Sequence, residues 1–143
     1  MYIISACLVG ENCKYNGTNN NHEGVKTFIT DQDYILVCPE LLAGIGVPRP
    51  PAEIVDGRVI NKLGKDVTED FIRGAELTYK IALAEAEKRN QPIEKAILKA
   101  KSPSCGCGRI YDGTFSGKVV SGDGFTAAYL KAQGITVITD EDL

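Results

Sequence analysis

Short apolar runs recur along the chain at residues 2–8, 34–38, 93–101 and 135–139, each followed by polar or loop-forming residues. Runs of this length that are rich in Val, Ile and Leu are typical of strands buried on both faces of a sheet. Pro39 ends the second run, because proline has no N–H group to donate to a sheet. The pattern therefore predicts four short, buried strands.

Segments with helical periodicity lie between these runs. The strongest covers residues 68–90, where Thr68 is a suitable N-cap, acidic residues fill the first turn and basic residues the last. Its small and apolar face consists of Phe71, Ala75, Thr78, Ala82 and Ala86. Two shorter helices are predicted over 22–30 and 122–133, the second closed by Gly134. The narrow face of the long helix predicts close packing against a sheet.

The alternation of strand and helix predicts an α/β fold, a Rossmann-like three-layer sandwich whose mostly parallel sheet has about four strands. We expect residues 1–143 to form this one domain. Residues 39–54, with four prolines, are predicted to be irregular, a small hairpin is predicted at 55–64, and a loop or hairpin at 109–120. Ligands of such sheets bind beyond the carboxyl ends of the strands, so functional residues are expected there.

Composition and charge narrow the function classes. The 143 residues are 43% apolar and 24% charged, as in ordinary globular domains, and a net charge of −3 argues against a broad nucleic-acid-binding surface. No apolar run is long enough to span a bilayer, and the first residues lack the basic flank of a signal peptide. We therefore expect a cytoplasmic protein with reduced thiols and no membrane partner, whose five cysteines serve metal binding or catalysis rather than disulfides.

Three of the cysteines occupy equivalent places. Cys7 and Cys38 end the first two predicted strands, and Cys105 follows the third. Because the ends of parallel strands meet at one edge of a sheet, we expect these thiols to converge. His22 is the sole histidine, so three thiolates without a histidine indicate a soft metal centre. A closed zinc site needs four ligands, whereas a [4Fe–4S] cluster held by three keeps one iron open to a substrate atom.

The remaining candidate residues leave alternatives open. Cys13 and Cys107 lie in flanking loops and fit a fourth ligand, a sulfur carrier or no direct role. A non-catalytic protein that carries zinc or persulfide fits the same thiols, and so does a ligand-binding domain whose cysteines only pack. Arg49, in "PRPP", fits either binding of an anion or base carbonyl, or pinning of its own loop to a carboxylate.

Five blocks of the sequence together resemble the thiouracil desulfurase family. They are "SACLVGENCKYNG", "CPELLAGIGVPRPPAEI", "GKDVTEDFIRGA", "SPSCG" and "YDGTFSGKVVSGDG", and the resemblance extends from Ser5 to about Val137. It implies an oxygen-sensitive [4Fe–4S] cluster held by three cysteines. It also implies a small thiolated nucleobase as substrate, with 2-thiouracil giving uracil and sulfide.

The resemblance assigns roles to five residues. Its implied cluster ligands are Cys7 in "SACL", Cys38 in "CPE" and Cys105 in "SPSCG". Glu40 matches the family's catalytic glutamate, and Ser102 matches a serine near the substrate. The implied reaction binds the thiocarbonyl sulfur at the open iron, while Glu40 activates the water that attacks the C–S carbon. No net redox change is required.

Overall fold

The computed structural model describes all 143 residues. Its elements in chain order are β1 (Tyr2–Ser5), α1 (Glu23–Ile29), β2 (Tyr34–Val37), α2 (Pro39–Leu42), β3 (Ala52–Val55), β4 (Arg58–Asn61), α3 (Thr68–Lys88), β5 (Lys95–Leu98), β6 (Arg109–Tyr111), β7 (Val119–Ser121), α4 (Phe125–Ala132) and β8 (Val137–Thr139). The four predicted strands form one parallel sheet in the order β2–β1–β5–β8. The predicted α/β fold is therefore confirmed.

Helices cover both faces of this sheet. On one face, Ile3 of β1 and Leu98 of β5 belong to an apolar cluster that includes Ala82 of α3 and Leu130 of α4. On the other face, the cluster of β1 and β5 side chains contains Val25 of α1. These five side chains are completely buried. The result is a three-layer arrangement in which β1 and β5, the two central strands, are shielded from water on both sides.

The small hairpins lie outside the central sheet. β3 pairs with β4 in antiparallel fashion around Asp56-Gly57, and β6 pairs with β7. The hairpin predicted at 55–64 is thus present, and of the two alternatives for 109–120 the structure shows the hairpin. However, β3 begins at Ala52, inside the segment predicted to be irregular. None of the helices combines the length and the apolar composition needed to cross a bilayer.

The long helix α3 matches its predicted face but not its predicted cap. All five residues of that face are buried. Thr68 is the first helical residue and does not cap the helix: its hydroxyl accepts the N–H of Val59 at 2.8 Å. Asp66 Oδ1 accepts the Thr68 N–H at 2.9 Å instead. The reason is that β4 packs against the start of α3, where the Val59 N–H needs a buried acceptor.

All four strands are shorter than predicted, and the first and third end three residues early. The first ends at Ser5, and residues Ala6–Val9 form a 3-10 turn, so that Cys7 lies in a turn rather than on the strand. Gly10 follows in the left-handed conformation, with φ of 97°, and its N–H donates to the Cys7 carbonyl. The third predicted strand ends at Leu98. Both early endings leave more loop at the carboxyl edge of the sheet, where the candidate site lies.

Candidate active site

A cavity of about 490 Å³ lies at the carboxyl edge of the sheet. Its lining includes all five residues singled out from the sequence: Cys7, Cys38, Glu40, Ser102 and Cys105. The structure therefore brings together side chains that are far apart along the chain. Parallel strand ends account for this convergence, because β1, β2 and β5 all point toward the same edge.

The segment after β2, residues 38–51, is called the β2 loop. Cys38 immediately precedes the single turn of α2, and the pKa of its thiol is lowered by the Cys13 side chain in the first place and by the Leu41 N–H of that turn in addition. This turn lies against α3 at Gly74, where a Cβ atom would overlap the carbonyl oxygen of Pro39. The absence of a side chain at Gly74 therefore allows the β2 loop to pack directly against the α3 main chain.

Glu40 is held by Arg49 within the β2 loop. Arg49 Nε donates to Glu40 Oε2 at 2.6 Å, and only 6% of the arginine side chain is exposed. The other guanidinium nitrogens donate to the carbonyls of Gly46 and Cys13, each at 2.8 Å. Of the two interpretations of Arg49, the structure therefore shows the one in which it pins its loop to a carboxylate.

Cys13 lies in the cavity together with two of the predicted ligands. Hydrogen bonds from its thiol to the sulfurs of Cys38 and Cys7 raise the pKa of Cys13 far above its usual value. The same hydrogen bonds are the largest cause lowering the pKa of Cys7 and of Cys38, and burial opposes them in both. Among these three thiols, Cys13 is therefore the one that holds its proton most strongly.

The segment after β5, residues 99–108, is called the β5 loop. Its Cys105 is buried, and burial raises the pKa of this thiol to about 12, against the lowering effect of a hydrogen bond from Ser5. The Ser102 hydroxyl oxygen accepts the N–H of Cys105 at 2.7 Å. Ser102 therefore stabilises its own loop, and its hydroxyl hydrogen remains free for a group in the cavity.

Helix α4 fixes the β5 loop through its first turn. The N–H groups of Phe125 and Thr126 donate to the carbonyls of Pro103 and Ser104 at 2.9 and 2.8 Å. A Cβ atom on Gly124 would lie 2.5 Å from the Ser104 carbonyl. The loop is consequently held by main-chain hydrogen bonds and by contact too close for any side chain at position 124.

Several cavity residues were not singled out from the sequence. Ser5 and Lys99 follow the strand-end rule, because each is a polar residue at the end of an apolar strand, and that signal could have found them. Asn20 belongs to a loop and carries no such signal. The aromatic side chains in the lining are Tyr15, Tyr111 and Phe115. They offer flat apolar surfaces beside the thiols, the kind that stack on a planar ring.

Cys107 is the cysteine that the structure leaves out of the cavity. Its thiol donates to the Val137 carbonyl at 3.4 Å, and its side chain packs against the core. The cavity thus has four thiols and no histidine. No three Cys, His, Asp or Glu side chains lie close enough together to surround a single metal ion.

The fold and the cavity define an α/β protein with a thiol-lined site at the carboxyl edge of a parallel sheet. Residues 2–142 match the model of the 2-thiouracil desulfurase family, and the chain belongs to this family. A Bacillus subtilis (strain 168) protein with the name "Uncharacterized protein YbbK" is 41% identical over 153 residues, covering 100% of this chain and 97% of that protein.

One solved structure is similar over nearly the whole chain. It is a [4Fe-4S]-dependent thiouracil desulfidase, TudS (DUF523Vcz), with a TM-score of 0.84 and 39% sequence identity. The similarity covers 99% of this chain and 91% of that one. The resemblance found in the sequence blocks is therefore confirmed at the level of family and fold.

Proposed function

We propose that this chain, as one domain of residues 1–143, removes sulfur from a thiolated pyrimidine base. The balanced reaction is 2-thiouracil plus water giving uracil plus hydrogen sulfide, with no net oxidation or reduction. Family membership and the similarity to TudS support this reaction class. The observation that carries it is the convergence of thiols, a carboxylate and a hydroxyl on one cavity lined partly by aromatic rings.

The cofactor of the proposed reaction is a [4Fe–4S] cluster held by Cys7, Cys38 and Cys105. The donor set fits such a group, because sulfur ligands without histidine suit an iron–sulfur cluster. These three thiols, together with Cys13, line one cavity of about 490 Å³. When bound through three cysteines, the cluster would supply an iron open to the soft thiocarbonyl sulfur.

The chain's own groups supply the proton chemistry. Arg49 binds Oε2 of Glu40 and keeps the carboxylate oriented, which leaves Oε1 to accept a proton from a water molecule. Ser102 already accepts the N–H of Cys105, so its hydroxyl donates outward, to a polar atom of the base. Glu40 therefore acts as the general base, Ser102 orients the substrate, and Arg49 positions Glu40.

The test is single-turnover release of sulfide from 2-thiouracil by anaerobically reconstituted protein. We expect wild type to release sulfide and Glu40→Gln to bind the substrate but react about 10²–10⁴-fold more slowly, the usual contribution of general acid–base catalysis. Both proteins are compared at matched iron content. Glu76→Gln is the control, because Glu76 is exposed on α3, away from the cavity.

Other outcomes of this single-turnover experiment would contradict different parts of the proposed function. Equal rates for wild type and Glu40→Gln remove Glu40 from the mechanism. No sulfide from wild type with its cluster intact contradicts thiouracil as substrate. Zinc in place of iron after anaerobic purification favours instead a binding protein without catalysis.

A further inference from the structure

Two of the three proposed ligand sulfurs accept a hydrogen bond from a side chain of the fold. The Ser5 hydroxyl donates to Cys105 Sγ at 3.5 Å, and the Asn20 side-chain amide donates to Cys7 Sγ at 3.5 Å. At the third cysteine, Cys38, the sulfur itself donates to the Cys13 carbonyl at 3.8 Å. Both donors to ligand sulfurs are therefore side chains that mutation can remove.

The direction of the Ser5 hydrogen bond is fixed by its surroundings. Ser5 is the last residue of β1 and is 3% exposed. Its oxygen accepts the main-chain N–H of Lys99, just past the end of β5, at 2.9 Å. Because that interaction occupies the oxygen as acceptor, the hydroxyl hydrogen is available to Cys105, and pairing of β1 with β5 holds the donor in place.

Asn20 holds Cys7 from two sides. Its main-chain N–H donates to the Cys7 carbonyl at 2.9 Å, and its Nδ2 donates to the Cys7 sulfur. The neighbouring Asn19 also has a bonded side chain, but its amide donates to Asn12 and not to a sulfur. Among neighbouring asparagines, only position 20 thus presents a donor to a proposed ligand.

We propose that Ser5 and Asn20 are positioning residues that donate hydrogen bonds to the ligand sulfurs of Cys105 and Cys7 and thereby raise the reduction potential of the cluster. This inference rests on the proposed function, since it requires the cluster. Hydrogen bonds to cluster sulfurs are one of the factors that set the potential. The reduced cluster carries one more negative charge, so donors stabilise it more than the oxidised form, and their removal lowers the potential.

The first experiment measures the reduction potential of the reconstituted [4Fe–4S] protein by redox titration followed with electron paramagnetic resonance. We expect a more negative potential for Ser5→Ala than for wild type, and recovery toward the wild-type value in Ser5→Thr, which keeps the hydroxyl. Ser104→Ala is the matched control. Its hydroxyl is equally buried and adjacent to Cys105, but bonds Thr126 Oγ1 at 2.8 Å, so its potential should be unchanged.

The second experiment repeats the comparison with Asn20→Leu and Asn19→Leu. We expect a negative shift for Asn20→Leu and none for Asn19→Leu. This pair decides the question if Ser5→Ala fails to fold or to retain a cluster, because Asn20 is less buried than Ser5. In both pairs the measured quantity is the reduction potential, and each donor variant is compared with a control that changes the structure but removes no donor to a ligand sulfur.

The outcomes separate this inference from the proposed function. Wild-type potentials in Ser5→Ala and Asn20→Leu, with clusters present, overturn the inference and leave the proposed function standing. Equal shifts in a donor variant and its control also overturn it, because they show a general effect of substitution. Failure of wild type itself to take up a cluster contradicts the proposed function, and this inference with it.

Discussion

The β2 loop and the β5 loop bring Cys38 and Cys105 to one cavity, yet they hold them by different means. The β2 loop is tied by charge, through the ion pair of Glu40 with the buried Arg49. The β5 loop is tied at Lys99 and Ala100 to the Asp140 carboxylate, but around Cys105 it is tied by uncharged main-chain hydrogen bonds to α4 and by close contact with Gly124. The surroundings of Cys38 therefore include a buried ion pair, whereas those of Cys105 are packed like a core.

The same side chain consequently behaves differently in the two loops. The pKa of Cys38 is lowered by hydrogen bonds from the Cys13 thiol and a helix N–H, whereas burial raises the pKa of Cys105 to about 12. Hydrogen bonds to a thiolate stabilise its charge, whereas burial disfavours it. In the proposed reaction the proton chemistry belongs to the β2 loop because that loop carries Glu40.

The largest expected effect comes from removing a thiol in either loop. We expect Cys38→Ser and Cys105→Ser each to lose nearly all bound iron, and Cys7→Ser to do the same. Serine is a harder, less acidic donor that suits iron in a cluster poorly. The measurement is iron and sulfide per chain after anaerobic reconstitution.

Two further cysteine variants are the controls for that experiment. Cys13→Ser should keep the cluster, because Cys13 lies in a loop beyond the strand ends and is not a proposed ligand, and Cys107→Ser should keep it because its thiol bonds Val137 outside the cavity. Loss of iron in Cys107→Ser but not in Cys105→Ser would show that the ligand from "SCGC" is Cys107 and that our assignment of Cys105 is wrong.

Removing the charge that ties the β2 loop is the next largest change. We expect Arg49→Met to lower the single-turnover rate by about 10²-fold at matched iron content, since a displacement of about 1 Å in a catalytic group has an effect of that size. Arg49→Lys should recover only part of the rate. Lysine keeps the positive charge, but its single nitrogen cannot reproduce the bonds that three guanidinium nitrogens make to Glu40, Gly46 and Cys13.

Arg58→Met is the matched control for Arg49. Arg58 forms an exposed ion pair with Asp66 at 2.8 Å, remote from the cavity, and its loss should leave the rate unchanged. An equal fall in rate for both arginine variants would show that Arg49 acts through general stability and not through Glu40.

A pair of glycine substitutions compares the packing of the two loops. Gly74→Ala and Gly124→Ala each place a Cβ atom against main-chain atoms, of Pro39 and Ser104 respectively. Overpacking of this kind costs about 1–3 kcal/mol of unfolding free energy, which we expect to observe as a lower midpoint in thermal unfolding.

The two glycine variants should also differ in function. At matched temperature, Gly124→Ala should weaken iron retention, because the β5 loop carries Cys105. Gly74→Ala should slow turnover at matched iron, because the β2 loop carries Glu40. Identical defects in both variants would argue against the division between the loops.

The smallest expected effect is that of Ser102→Ala. Loss of one hydroxyl that binds the substrate should reduce the rate about 2–10-fold, in line with about 0.5–1.5 kcal/mol for a hydrogen bond. Ser121→Ala, at an exposed position in β7, is the control. A Ser102→Ala rate equal to wild type would confine Ser102 to its hydrogen bond with the Cys105 N–H.

The sequence predicted the sheet and the region of the site because both depend on short-range patterns. Apolar runs identify β1 and β5, and the strand-end rule then places Cys7, Cys38 and Cys105 near one edge. The position of Cys7 in a 3-10 turn was missed because the apolar pattern continues through Leu8, past the point at which strand pairing stops.

Side-chain pairing in the site could not be predicted in the same way. The bond from Ser5 to Cys105 and the bond from Cys13 to Cys7 and Cys38 depend on register and on loop paths. Thr68 shows the same limitation: its sequence context fits an N-cap, but a backbone N–H from a different element takes its hydroxyl. Local propensity does not reveal a partner that packing brings from elsewhere in the chain.

The pairing of β1 with β5 also determines when the sheet can form during synthesis of the chain, because β1 is made long before β5. Ser5 and Lys99, which meet across these strands, are 94 residues apart. At about 5–20 residues per second, the ribosome needs roughly 5–20 s to make the chain between them. The first strand waits that long without its central neighbour, and the cavity cannot exist until Cys105 has emerged. A cluster held by Cys105 can therefore be inserted only after that residue has been made.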